Sequence, residues 1–135
     1  MIFVNGGKEY QRKRVTDLAW FVCKKFNMEP ILDINIRDLT SEGSLGFCTE
    51  FDEGEYEIDV NKSLHLRELL ITLAHELVHV KQYERGEMER LNDKDVSYWD
   101  RPSEIEAHDR ELGLFIQWVE DRGLSKRKWT QRSNG

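Results

Sequence analysis

Apolar positions in this chain follow two periods. Val15, Leu18, Ala19, Val22 and Phe26 recur at i, i+3, i+4, i+7 and i+11, the spacing of a helix with one buried face, and Asn27 and Pro30 close it. The period then drops to two. Leu32, Ile34 and Ile36 alternate with Asp33, Asn35 and Arg37, which predicts a strand with one face in the core. Residues 45–51 read as a second strand, Asp52-Glu53-Gly54 as a turn, and Tyr56, Ile58 and Val60, alternating with Glu55, Glu57 and Asp59, as a third.

From Leu64 the pattern changes again. Leu64, Leu66, Leu69, Leu70, Ile71, Leu73 and Ala74 are apolar on most sides, which predicts a helix running buried through the middle of the domain. Asn61 or Ser63 can cap its start and Gly86 its end. A charged, irregular stretch follows over residues 86–101. A last helix is predicted from about Pro102 to Arg122, with Ile105, Leu112, Ile116 and Val119 turned inward and Gly123 ending it. The order predicts an α+β fold: an N-terminal helix, a three-stranded, mainly antiparallel sheet, a buried helix and a C-terminal helix.

Length and composition narrow the picture. A chain of 135 residues, 39 % apolar and with four Trp, is one globular domain with a core of its own. No run approaches the eighteen or so apolar residues of a membrane span, and the N-terminus has no charged-then-apolar signal, so the expected location is cytoplasmic. Cys23 and Cys48 lack metal or redox spacing and read as reduced thiols. The net charge of −6 is uneven: from Arg122 onward there are five bases and no acid, so the preceding residues carry −11. That balance argues against a nucleic-acid-binding body. It divides the chain into a domain over 1–122 and a basic tail over 123–135, expected to be frayed and solvated, and the only part suited to an anionic partner.

The chemistry is concentrated in His75-Glu76-Leu77-Val78-His79. On a helix, residues four apart share a face, so His75 and His79 can reach one ion, and Zn²⁺ takes neutral imidazole readily. Glu76 is placed beside such an ion without occupying a ligand position, as the general base of a water-activating site. A catalytic zinc needs a third protein ligand and one open position. The last helix offers Glu104 and His108, which are i, i+4 and share a face, with Glu104 expected as third ligand and His108 as its alternative or supporting neighbour. Ser103 and Glu106 match a capping box, which gives Glu106 a structural part. Cys48 is a further thiol ligand in principle, although a small buried cysteine is the commoner state.

These two helical motifs resemble the gluzincin metallopeptidases, in which H-E-x-x-H on one helix is completed by a Glu at the start of a following helix. Glu104-x-x-Ala107-His108 looks like their E-x-x-A-D pattern, with His108 where an Asp is usual. The small size and element order, from about residue 12 to 122, are similar to the single-domain minigluzincins. The resemblance implies a zincin-like fold and a Zn²⁺ cofactor on His75, His79 and Glu104. It further implies Glu76 as base, a peptide or protein substrate, and His108 in place of an Asp that holds a zinc-bound His. It also implies that the strand before the motif helix, residues 55–60, is the sheet edge that aligns substrate, although its acids serve equally well as guards against edge-to-edge aggregation. Tyr83 and Tyr98 are the candidate donors to an oxyanion. The rival expectation is a non-catalytic, zinc-stabilised domain that binds a protein partner, with both Glu104 and His108 closing the site. Nothing in the sequence sets an oligomeric state.

Overall fold

The computed structural model describes residues 1–91 and 95–132. Its elements are β1 (Ile2–Gly6), α1 (Glu9–Lys25), β2 (Ile31–Arg37), β3 (Gly46–Asp52), β4 (Glu55–Asn61), α2 (Leu66–Glu84), α3 (Met88–Leu91) and α4 (Pro102–Asp121). Short 3₁₀ turns lie at Thr40–Glu42, Tyr98–Asp100 and Lys128–Thr130. This is the expected α+β class with a different sheet.

The sheet has four strands in the order β1-β2-β4-β3. β1 pairs parallel with β2, β2 pairs parallel with β4, and only β3 and β4 run antiparallel. The expectation of three mainly antiparallel strands therefore fails twice. β1 is too short to show a period, and its partner lies beyond α1, so nothing local signals the pairing. β3 and β4 form a hairpin through Gly54, whose φ of +77° suits glycine, and β4 rather than β3 lies against β2.

One consequence concerns the edge. Residues 55–60 form an interior strand, paired on both sides, so they neither offer nor guard an edge. The edge is β3. The acids of β4 lie on the sheet face away from the helices, where Asp59 accepts hydrogen bonds from Asn35 (3.0 Å) and Arg37 (3.0 Å).

Even-numbered positions of β2 and β4 (Leu32, Ile34, Ile36, Tyr56, Ile58, Val60) point to the helical layer and are buried with Val15, Leu18, Ala19 and Val22 of α1. Helix α2 is buried through its length, as its apolar run predicts, including the polar Glu76, His79, Lys81 and Gln82. Neither expected cap starts it. His65 is the N-cap without a side-chain bond, while Asn61 Oδ1 accepts from the backbone N–H and hydroxyl of Ser63 in the turn before it. Gly86, at φ +66°, follows its end.

Helix α4 is rotated from the expected face. Ala107, Leu114, Phe115, Trp118 and Val119 are buried, whereas Ile105, Leu112 and Ile116 are 47 %, 43 % and 43 % exposed. Two apolar stripes compete on this helix, and the buried one carries polar residues at its start, which disguises it. Trp118 packs against Phe115 and Trp129 and donates its indole N–H to Asp17 of α1 (2.9 Å).

The basic tail is tied down as far as Thr130. Leu124 is in the core, Trp129 packs on it, and Thr130 Oγ1 donates to Leu124 O (3.0 Å). Its 133–135 end lies outside the described residues. Cys23 and Cys48 are both free thiols, and burial pushes Cys23 up to about 12. No helix among the described residues is long and apolar enough to cross a membrane.

Asp17 gives a stability prediction. Arg122 hydrogen-bonds its carboxylate (2.8 and 3.0 Å) and, against partial burial, holds it below its usual 3.8, with help from Trp118. A depressed carboxylate stabilises the fold above its unfolded pKa and loses that contribution as pH falls through the folded value. Asp17→Asn should therefore cost about 1 kcal/mol at neutral pH, a figure already discounted for screening at this partly exposed pair. Urea denaturation should show the gap to wild type closing below pH 3.8; a gap independent of pH would refute the assignment.

Candidate metal centre

The packing of α2 on α4 builds the site. His75 and His79, one turn apart on α2, present their rings edge to face with centroids 5.0 Å apart. Pro102 starts α4 with its fixed φ, so Glu104 lies in the first turn, buried against α2. His75 Nε2 is 2.9 Å from Glu104 Oε1, and His79 Nε2 is 2.9 Å from Oε2 of the same carboxylate. The three donor groups lie within 4.8 Å of one another. Among the described residues this is the one group of histidine, cysteine and carboxylate side chains close enough to hold an ion.

The charges explain why these groups converge. Burial disfavours charge on His75, but hydrogen bonds to Glu104 and Glu111 and the nearby Glu76 outweigh it and push the imidazole up to about 10. Burial likewise opposes a charged Glu104, and the hydrogen bond from His75 with the close imidazole of His79 overcomes it, holding the carboxyl near 2. His79 is raised by the same balance. The pairing is less complete than these distances suggest. His79 Nε2, though 2.9 Å from Glu104, lacks the alignment of a hydrogen bond and is a buried nitrogen left without one. Two imidazole nitrogens and a carboxylate facing one point, one of the nitrogens unsatisfied, form a donor set suited to Zn²⁺.

Behind the rings stand two residues the sequence did not single out. His75 Nδ1 donates to Glu111 Oε1 (3.1 Å), and His79 Nδ1 to Gln82 Oε1 (2.8 Å). Glu111 lies two turns after Glu104 and Gln82 one turn after His79, so helical spacing was the available signal. His108 does not join the donors. It is 74 % exposed and bonds the same Glu111 oxygen as His75 (3.1 Å), because α4 turns its Glu104–Ala107–Glu111 line inward rather than the Glu104–His108 line. Nor do Ser103 and Glu106 form a capping box. Arg101 is the N-cap, and Glu106 accepts instead from Lys81 (2.7 Å), Gln82 (2.9 Å) and Arg110 (3.0 Å).

A cleft of about 250 Å³ opens on two of the donors, His79 and Glu104. One wall is the edge strand β3, through Gly46, Phe47 and Cys48; the floor is Glu76 and His79; Tyr83, Met88 and Tyr98 face them. Gly46 has no room for a side chain. A Cβ there would stand 2.8 Å from Thr72 Cγ2 and 3.4 Å from Glu76 Oε2, so the glycine lets the strand lie close over the helix. Burial pushes Glu76 up to about 7, against the pull of the two imidazoles. Burial also raises Tyr98, with the charges of Glu104 and Glu76 and a hydrogen bond to Glu104 adding to it. Tyr83 stacks obliquely on Tyr56, with ring centroids 5.7 Å apart. Cys48 lines the cleft outside the donor group, its thiol raised by burial and by Glu76.

Comparison of the chain with protein families, with curated proteins and with solved structures finds no match in any of the three.

Proposed function

We propose that this chain is a zinc-dependent hydrolase, a small metallopeptidase of gluzincin kind. The observation that carries the reading is the meeting of His75, His79 and Glu104 at a cleft lined by His79, Glu104 and Glu76, beside the open sheet edge of β3. His75, His79 and Glu104 would hold the ion. Zinc so held supplies a Lewis acid and lowers the pKa of water.

The rest is the work of the chain. Glu76, kept close to neutrality by burial, takes a proton from the attacking water and passes it to the departing amine. Tyr98, with its phenol held protonated beside Glu104, is placed to donate to the oxygen of the scissile carbonyl. Tyr83, the other candidate, lines the same cleft with its ring against Tyr56. The free edge of β3 offers backbone groups to an extended peptide as an added strand, the part expected of residues 55–60. Three donors rather than four among the described residues support the catalytic reading over a closed structural site, since His108 stands outside.

Zinc content tests the centre. Wild-type chain should bind one zinc per molecule, and Glu104→Ala should lose it because the two imidazoles alone hold the ion weakly. His108→Ala should retain it. Hydrolysis of an unstructured peptide should vanish with a chelator and return with added zinc. Equal zinc loss in the two variants, or no zinc in wild type, would remove the proposed donor set.

A further inference from the structure

Resting on the proposed zinc site, we infer that Gln82 and Glu111 are its positioning residues: each takes the Nδ1–H of one imidazole and so presents that ring's Nε2 to the ion, Gln82 for His79 and Glu111 for His75. A neutral imidazole carries one N–H, and the partner of one nitrogen decides whether the other is free to bind metal. Glu111 can only accept, so the nitrogen 3.1 Å away must donate to it.

The orientation of Gln82 follows from its surroundings. Its side-chain nitrogen donates to Ser103 O (3.0 Å) and to Glu106 Oε1 (2.9 Å). Turned over, the amide would set oxygen against those two oxygens and its NH₂ against the imidazole. Oε1 therefore faces His79 Nδ1, and that nitrogen is the donor. Glu106 is itself pinned by Lys81 and Arg110 (2.7 and 3.0 Å), and Gln82 is wholly buried, so the side chain has no other arrangement open to it.

The two supports differ in kind. Glu111 is anionic, partly exposed and shared with His108, so it contributes charge to His75 as well as direction. Gln82 is neutral and fixed at both ends. By holding Ser103 O it also sets the backbone of the turn that carries Glu104, and so couples one metal-binding residue to another across two helices. A side chain chosen only to fill core volume at this position would be apolar, because burying an amide is costly unless every polar atom is used.

The experiment uses the full chain and zinc ion. Zinc affinity is measured by competition with a chromophoric chelator for wild type, Gln82→Met and Glu111→Ala, and the ring nitrogens are followed by heteronuclear NMR of the zinc-loaded wild type. Each variant should weaken zinc by about 10–100-fold, and wild-type spectra should show Nδ1 protonated and Nε2 metal-bound on both rings. If Gln82→Met does not fold, the partly exposed Glu111→Ala and the wild-type spectra still decide the matter. Tight zinc in wild type matched by both variants, or coordination through either Nδ1, overturns this inference alone. A wild type that binds no zinc removes the metal-centre reading along with it.

Discussion

Glu76→Gln is expected to cut peptide hydrolysis by about 10²–10⁴-fold, the usual contribution of a positioned general base, while leaving zinc and fold in place. The amide is nearly isosteric, so it fits the space the carboxylate occupies beneath Gly46. It cannot take up a proton, and that is the function removed. The residue lies outside the donor group, so metal content should be unchanged. The readouts are kcat/KM on a fluorogenic peptide, zinc per chain, and the circular dichroism spectrum. Undiminished turnover by the variant would sink the mechanism. The acid limb of the wild-type rate has a defined sign. Glu76 works as the carboxylate, so the rate falls as pH drops through its pKa, which is about 7 in the ion-free protein. A cation in the centre can only draw that value down, placing the limb at or below neutrality.

Trp118→Ala should be the most damaging core substitution. The indole is fully buried, the largest such side chain among the described residues, and it is the point where α4, α1 and the tail meet. Truncation removes a large apolar surface, leaves a cavity under Trp129 and deprives Asp17 of a hydrogen bond, at a cost of about 3–5 kcal/mol. Against the roughly 5–15 kcal/mol that holds a domain together, this is a large fraction. Urea denaturation checks it, with Trp118→Phe as control: the ring volume returns in part and only the indole N–H is lost. A change under about 1 kcal/mol for the alanine variant would show that the neighbouring side chains collapse into the space.

What the sequence reveals follows the range of the interactions involved. α1, β2 and the His75–His79 helix are written in local periods, and the structure forms them where those periods lie. β1 is not legible, because five residues carry no period and their partner is reached only through a helix. The order of β3 and β4 is illegible for a related reason: the choice of neighbour for β2 is made by packing, not by the turn. α4 misleads because Glu104 and Glu111 occupy its buried side, displacing the apparent apolar stripe onto Ile105, Leu112 and Ile116. The same rotation separates His108 from Glu104. Gln82 and Glu111 become visible only when the two helices are set side by side, since each serves an imidazole through a bond that depends on their packing. In the tail, four basic residues conceal two apolar anchors, Leu124 and Trp129.

The β3 edge proposed to take a substrate strand is equally open to another copy of the chain. Two β3 strands laid antiparallel would be related by a two-fold axis, the commonest symmetry of association, and Phe47 and Phe51, both exposed on that strand, would meet across it. The strand has no proline to block such pairing. Long-range repulsion between the surplus acids of two copies opposes such pairing, a colloidal protection that fades as pH approaches the isoelectric point near 5.3 and is screened as salt is added. An acidic, high-salt buffer is therefore where this sheet would begin to recruit its own kind, and concentrated stocks keep best on the alkaline side at low ionic strength.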